Sequence, residues 1–209
     1  VAELLRGIGR YAVPPLYPKE FGAKVFKIAR DPQGARLTYL KVTGGSLRVK
    51  ALLTNRRPGG PEPAELLWEE KADQLRLYSG PQYRLAETVP AGTVCAVTGL
   101  SRTYPGQGLG VEPESSVPML EPVLSYQVCL PEGANVHTVL RQLGQLEEED
   151  PQLHIVWDET AREIRLQLMG QVQLEVLRRL IQERFGLEAA FGAGSVLYKE
   201  TILEPVEGV

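Results

Sequence analysis

The chain has 209 residues, 43% hydrophobic and 23% charged, with a formal net charge of -3 at pH 7; this admits one large domain or two modest ones, each with a buried core. No apolar run approaches the roughly 20 residues a membrane helix requires, and no charged-then-apolar leader opens the sequence, so a cytoplasmic protein with no membrane partner is expected. The slight acidity argues against nonspecific nucleic-acid binding by the whole surface.

Residues 3–11 carry Leu4, Leu5, Ile8 and Tyr11 at helical spacing, ahead of a Pro14-Pro15 stop and Pro18. One short amphipathic helix cannot bury its own stripe, so it is expected to pack on a later part of the chain or on a preceding domain. From Ala23 to about Gly110 the pattern is short strands: KVFKI, RLTYLKV, SLRV, QLRLY, YRLAE and TVCAVTGL. Turn residues punctuate them, with a polar NRRPGGPEP stretch between the third and fourth. Many short strands with almost no helical periodicity predict an all-β antiparallel barrel.

Charge is uneven along this region. Lys24, Lys27, Arg30, Arg36, Lys41, Arg48, Lys50, Arg56 and Arg57 face a single acid, Asp31, whereas Glu62, Glu65, Glu69, Glu70, Asp73 and Glu87 then outnumber Lys71, Arg76 and Arg84. A local basic face can bind phosphates even on an acidic protein. The plainer reading, that these are the solvent sides of amphipathic strands, stands beside it. Residues 111–121, VEPESSVPMLE, lack periodicity and carry Pro113 and Pro118, which places a linker there.

Beyond the linker, Leu124, Tyr126, Val128 and Leu130 alternate as a strand. Asn135 can cap a helix whose stripe is Val136, Val139, Leu140, Leu143 and Leu146. Leu153, Ile155 and Trp157 alternate again, and after the polar turn 158–162 so do Ile164, Leu166 and Leu168, predicting a hairpin. From Val172 the period becomes helical, with Leu174, Leu177, Leu180, Ile181 and Phe185 on one face and Gly186 at the expected left-handed cap. With a closing strand at VLYKETI, the order strand, helix, strand, strand, helix, strand predicts an α+β, ferredoxin-like split-βαβ domain.

Few residues suggest chemistry. Cys95 and Cys129 sit in alternating strands and read as small buried hydrophobes rather than a disulfide. No metal site or catalytic residue is expected. There is no G-x-x-x-x-G-K-[ST] phosphate loop, and Gly106, Gly108 and Gly110 have no helix after them. His137 and His154 lack a nucleophile nearby and read as solvated. The acids Glu147, Glu148, Glu149 and Asp150 read as a solvated helix end. Trp157, in phase with Leu153 and Ile155, reads as core rather than a base-stacking platform; the role of Trp68 stays open.

The stretches VFKIARDPQGARLTYLKVTGGSL and TVCAVTGL with its following TYPGQGLG resemble the second domain of translational GTPases of the elongation factor G group. PMLEPVLSYQV, LEEEDPQLHI and VLYKETI resemble that group's third domain. The turn LMGQVQLEV, where elongation factor G has a GMGELHLE-type sequence, is at Gly170, Val172, Gln173, Glu175 and Val176 more similar to the tetracycline ribosomal-protection proteins; Gln171 and Ala35 depart from both. AELLRGIGRY is similar to the last helix of the group's GTPase domain.

The resemblance implies a middle piece of a larger protein: residues 1–18 ending a missing GTPase domain, 19–112 the barrel, 113–121 the linker, 122–203 the ferredoxin-like domain and 204–209 the start of a missing fourth domain. It implies a ribosome-binding, monomeric relay, inactive alone, within a parent GTPase of the tetracycline ribosomal-protection type: GTP and magnesium would be held by the missing domain, with no cofactor in this chain. Expected partners are small-subunit ribosomal RNA, ribosomal protein and the parent's other domains. Lys27, Arg30, Arg36 and Lys41 are the expected RNA contacts, and Gly170, Gln173 and Glu175 an interdomain or ribosome-facing turn. A role in translocation, or a free-standing RNA- or protein-binding module, are the alternatives.

Overall fold

Alternating apolar residues and frequent turns give the first half its strands, and amphipathic stripes give the second half its helices. The computed structural model describes residues 1–12, 15–55, 68–115, 121–159 and 161–197. They belong to two units, Val1–Ser116 and Val117–Val209. Pro14, the charged stretch 56–65, Pro118 and the predicted closing strand from Tyr198 onward lie outside the described residues.

The first unit opens with α1 (Ala2–Tyr11), whose Leu4, Leu5, Ile8 and Tyr11 are all exposed. Ten strands follow: β1 (Gly22–Arg30), β2 (Arg36–Gly44), β3 (Ser46–Arg48), β4 (Leu52–Thr54), β5 (Glu69–Lys71), β6 (Gln74–Ser79), β7 (Gln82–Ala86), β8 (Thr88–Pro90), β9 (Val94–Thr98) and β10 (Gly108–Gly110). Antiparallel pairing makes a six-stranded sheet in the order β10-β1-β2-β9-β6-β7 and two ribbons, β3-β8 and β4-β5. Among the described residues the pairings do not close into a ring.

Period two sorts the side chains of this sheet. Val25, Ile28, Leu40, Val42, Leu75, Cys95 and Val97 point into one core with Trp68, Val89 and Leu109. Trp68 is thereby a core residue, 8% exposed. A bulge between Val25 and Lys27 lets both Phe26 and Lys27 stay outside while Val25 and Ile28 stay in. The glycine-rich stretch serves close packing: a Cβ on Gly108 would lie 2.1 Å from the Glu112 carbonyl oxygen, so the chain after β10 can fold back against it only because none is there.

The second unit contains β11 (Leu124–Cys129), α2 (Val136–Glu149), β12 (Val156–Asp158), β13 (Glu163–Leu168), α3 (Gln171–Phe185), β14 (Ala190–Phe191) and β15 (Ser195–Val196). The antiparallel order is β12-β13-β11-β14, with β15 also pairing with β11. Tyr126 sits opposite Leu166 and Val128 opposite Ile164. That face, with Leu168, packs against Val139, Leu143 and Leu146 of α2 and Leu177 and Ile181 of α3. The Asn135 side chain accepts a hydrogen bond from the Thr138 amide, and Gly186 closes α3 at φ 63°, as left-handed caps demand.

Two local expectations need correcting. Leu153 and Ile155 do not begin a strand: Pro151–Leu153 is a 3-10 turn capped by Asp150, and His154 is left-handed at φ 38°. Proline at the first turn position favours that geometry, and it delivers Leu153 into the core at 3% exposure without a strand. Cys129 is exposed, because it shares the outward phase of β11 with Ser125 and Gln127. Trp157 does pack on the core.

Candidate functional site

The hairpin of β1 and β2 determines what the basic stretch can do. Asp31, its one acid, shapes the turn: Oδ1 accepts from the amides of Gln33 and Ala35 at 3.1 and 2.8 Å. Its Oδ2 accepts from Arg76 Nη1 at 2.9 Å, with the two side chains only 5% and 10% exposed. The hydrogen bond from Arg76 is the main cause holding this carboxyl below its ordinary value. Burial is the largest single influence on Arg76 and opposes its charge, but the bonds to Asp31 and Tyr78 and the neighbouring Tyr83 together outweigh it, so the Arg76 pKa is raised. Thus the acid is committed to Arg76 and the turn, and offsets neither Lys27 nor Lys41.

The four expected basic contacts are placed differently. Lys27 and Lys41 are exposed on the outward side of the sheet, Lys27 opposite Tyr39 and Lys41 opposite Lys24. Neither has an ion-pair partner among the described residues. Lys24 is drawn to Glu112 at 3.5 Å and to the Pro113 carbonyl. Arg30 donates to the Gly34 carbonyl at 3.2 Å across the hairpin turn.

Arg36 faces inward. Its Nη1 donates to the Leu100 carbonyl at 2.8 Å and to Thr103 Oγ1 at 2.9 Å, and its Nη2 to the Thr103 carbonyl at 2.6 Å. The buried hydroxyls of Thr38 and Thr103 are 2.7 Å apart beside it. A guanidinium fork engaged in this way holds the 100–103 loop. It has little left to offer an outside phosphate.

At the second expected site, Gly170 starts α3 with extended backbone, φ 178°, and a Cβ there would meet nothing within 4 Å. The fold of the described residues therefore makes no demand for glycine. Gln173 reaches back so that its Oε1 accepts from the Met169 amide at 2.9 Å, capping the helix start. Glu175 is exposed one turn into the helix. Asp31, Arg76 and the tyrosines beside them were not singled out from sequence, although Tyr39 alternates in phase with Lys41, which is the signal an outward aromatic leaves.

His137 and His154 are both exposed, and no cluster of metal-ligating side chains occurs among the described residues. No helix there is long and apolar enough to cross a membrane.

Comparison with known proteins agrees with this architecture. Residues 119–193 match the family described as Elongation Factor G, domain III. The chain is 29% identical over 191 residues to elongation factor G of Amoebophilus asiaticus, covering 90% of this chain and 26% of that protein. It is 28% identical over 208 residues to elongation factor G of Ureaplasma parvum serovar 3, covering 96% and 29%. A crystal structure of a Thermus thermophilus protein superposes with a TM-score of 0.67 at 24% identity, over 91% of this chain and 29% of that one, which bears on fold alone. The chain spans under a third of the length of these relatives, and along its own length it is elongation factor G-like.

Proposed function

We propose that this chain acts as the corresponding part of a ribosome-associated translational GTPase, in which the first unit is a barrel leaning on small-subunit ribosomal RNA and the second a split-βαβ relay. The observation that carries this reading is the likeness to elongation factor G over 90–96% of the chain. GTP binding and hydrolysis, with magnesium, belong to a separate GTPase domain of such a protein, and a fourth domain completes it; this sequence has no phosphate loop of its own. The protein works as a cytoplasmic monomer.

Within the first unit, Lys27 and Lys41 are the phosphate contacts, joined by Arg30 at the hairpin tip. Arg36 supports them by fixing the loop beneath rather than by touching RNA. Within the second, Gly170, Gln173 and Glu175 form a partner-facing turn; an open, extended glycine that the fold does not need supports close approach of another surface. The likeness of residues 170–176 to ribosomal-protection proteins supports a role in tetracycline resistance. The named relatives are elongation factors, which favours translocation as the second reading.

Pelleting the chain with ribosomal subunits over a salt series tests the proposal. Binding should weaken as salt rises, and Lys27→Glu with Lys41→Glu should weaken it and flatten the salt dependence. Binding that ignores both salt and these substitutions refutes the contact assignment. An intact protein carrying this chain that rescues translation from tetracycline supports the resistance reading; one that only supports translocation replaces it.

A further inference from the structure

The outward side of the first unit's sheet carries a row of rings. Phe26, Tyr39, Tyr78 and Tyr83 follow one another from β1 to β7 with centroids 6.3, 5.7 and 5.2 Å apart. Register explains how the row crosses an intervening strand. Tyr39 sits opposite Ala96 of β9, Ala96 opposite Arg76 of β6, and Tyr78 opposite Tyr83 of β7. Only a methyl group stands between β2 and β6 at that level, so Tyr39 and Tyr78 meet above it.

The row is open to solvent at both ends, Phe26 at 48% and Tyr83 at 47% exposure. Cations flank it: the Arg76 guanidinium lies 4.5 Å from the Tyr83 centroid and Lys27 Nζ 5.8 Å from that of Tyr39. At the Tyr78–Tyr83 end a groove of about 440 Å³ is rimmed by the polar groups of Ser79, Gln82, Arg84 and Thr93. Its size suits a single nucleotide. Arg76 is neutralised by Asp31 and serves as a planar wall, whereas Lys27 and Lys41 keep their charge for a partner.

We infer that this face is a stacking platform for unpaired bases of a single-stranded or looped RNA segment, with Lys27 and Lys41 meeting its phosphates. This rests on the ribosome-binding reading above and names the form of RNA the unit takes. Ring faces decide the occupant. A duplex buries the faces of its bases and would engage the lysines while leaving the rings idle. An unpaired strand uses both, bases on rings and backbone on cations. An acidic polypeptide would satisfy the lysines alone.

The test is fluorescence anisotropy of the whole chain with labelled oligo(U) and oligo(A) of about twelve nucleotides, and with an RNA duplex of equal length. Single strands should bind at least about tenfold more tightly than the duplex. Tyr83→Ser and Phe26→Ser should each weaken binding about tenfold with an unchanged salt slope, and Lys27→Gln should lower that slope by about 0.7. Both rings are half exposed, and Tyr83→Leu keeps apolar bulk without a π face. It should bind as weakly as Tyr83→Ser, which separates stacking from folding.

Equal or better duplex binding, ring variants that bind as the parent does, or polyglutamate displacing the oligonucleotide in a ring-dependent way overturns the inference. If the chain pellets with ribosomal subunits while the oligonucleotides fail, the stacking face falls and the ribosome reading stands. If the oligonucleotides bind as expected but subunits do not, the face stands and the ribosome reading falls.

Discussion

Both units have an apolar core, but the polar side chains of the first reach far along the chain, whereas the stripes and caps of the second act mostly close by. Arg36 bonds to residues 64 and 67 positions away, and Arg76 to Asp31 across 45. In the second unit the Asn135 cap spans 3 residues and the bond from Met169 to Gln173 spans 4, with Arg184 to Glu149, Gln173 to Asp150 and Ser195 to Ser125 the longer exceptions. The first unit has a continuous apolar core of its own, and its charged clamps order the loops between the strands. Two long amphipathic helices give the second unit a continuous apolar core and ask little of its polar groups. The same division leaves the first unit's sheet with an exposed aromatic and cationic side.

The largest effect should come from breaking the second unit's core. Leu143 is fully buried between helix and sheet, and Leu143→Ala should cost about 2–5 kcal/mol through lost transfer energy and a residual cavity. Urea unfolding followed through Trp157 reads this as a lower midpoint. An unchanged midpoint would mean that the core is not packed as described.

A smaller effect is expected from cutting the first unit's clamp. Arg36→Met keeps the side chain's length but removes its bonds to Leu100 and Thr103, at about 2 kcal/mol for charged hydrogen bonds in a half-buried site. Amide exchange should speed up in residues 100–104 more than elsewhere. Uniform exchange across the sheet would show that the loop does not depend on the fork.

Asn135→Ala comes next, at about 1 kcal/mol for a lost helix cap. Its effect should be confined to α2, read as faster exchange of the Thr138 amide. If the loss instead equals that of Leu143→Ala, the distinction between a core-held and a cap-held helix fails.

How much of this was readable beforehand depends on the range of the interaction involved. The helix stripes, the Asn135 cap and the Gly186 stop act within a few residues, and the sequence pattern displays them directly. So does the alternation that places Ile164, Leu166 and Leu168 on one face. The Arg36 clamp was invisible because its partners Leu100 and Thr103 become neighbours only through β2–β9 pairing, and a basic residue in a basic stretch looks solvent-facing. The aromatic row needed the register of five strands, and the small residue that permits it, Ala96, carries no signal alone. The strand expected from Leu153 failed for a local reason: Pro151 turns the chain, and alternation over three apolar residues cannot distinguish a turn that delivers Leu153 inward from a strand that does so. The exposure of Cys129 was available from its phase, opposite to that of Tyr126 and Val128.

The two thiols test the comparison with the least disturbance. Cys95 is 1% exposed in the first unit's core, and burial pushes its pKa up to about 12; Cys129 lies exposed in the second unit. Only a thiolate attacks a disulfide reagent, so at pH 8 the native chain should release one equivalent quickly and the second only on unfolding, with Cys129→Ser abolishing the fast phase. The sign of the pH effect follows from the raised folded value. The neutral buried thiol contributes its full stability below the ordinary thiol pKa of about 8.5, and that contribution is lost as pH rises towards about 12. Cys95→Ala should therefore flatten the alkaline decline in stability, on top of a pH-independent loss of about 1 kcal/mol for the deleted buried sulfur. Equal native reactivity of the two thiols would mean that β9 is open to solvent, and with it the polar-clamped unit would be the looser of the two.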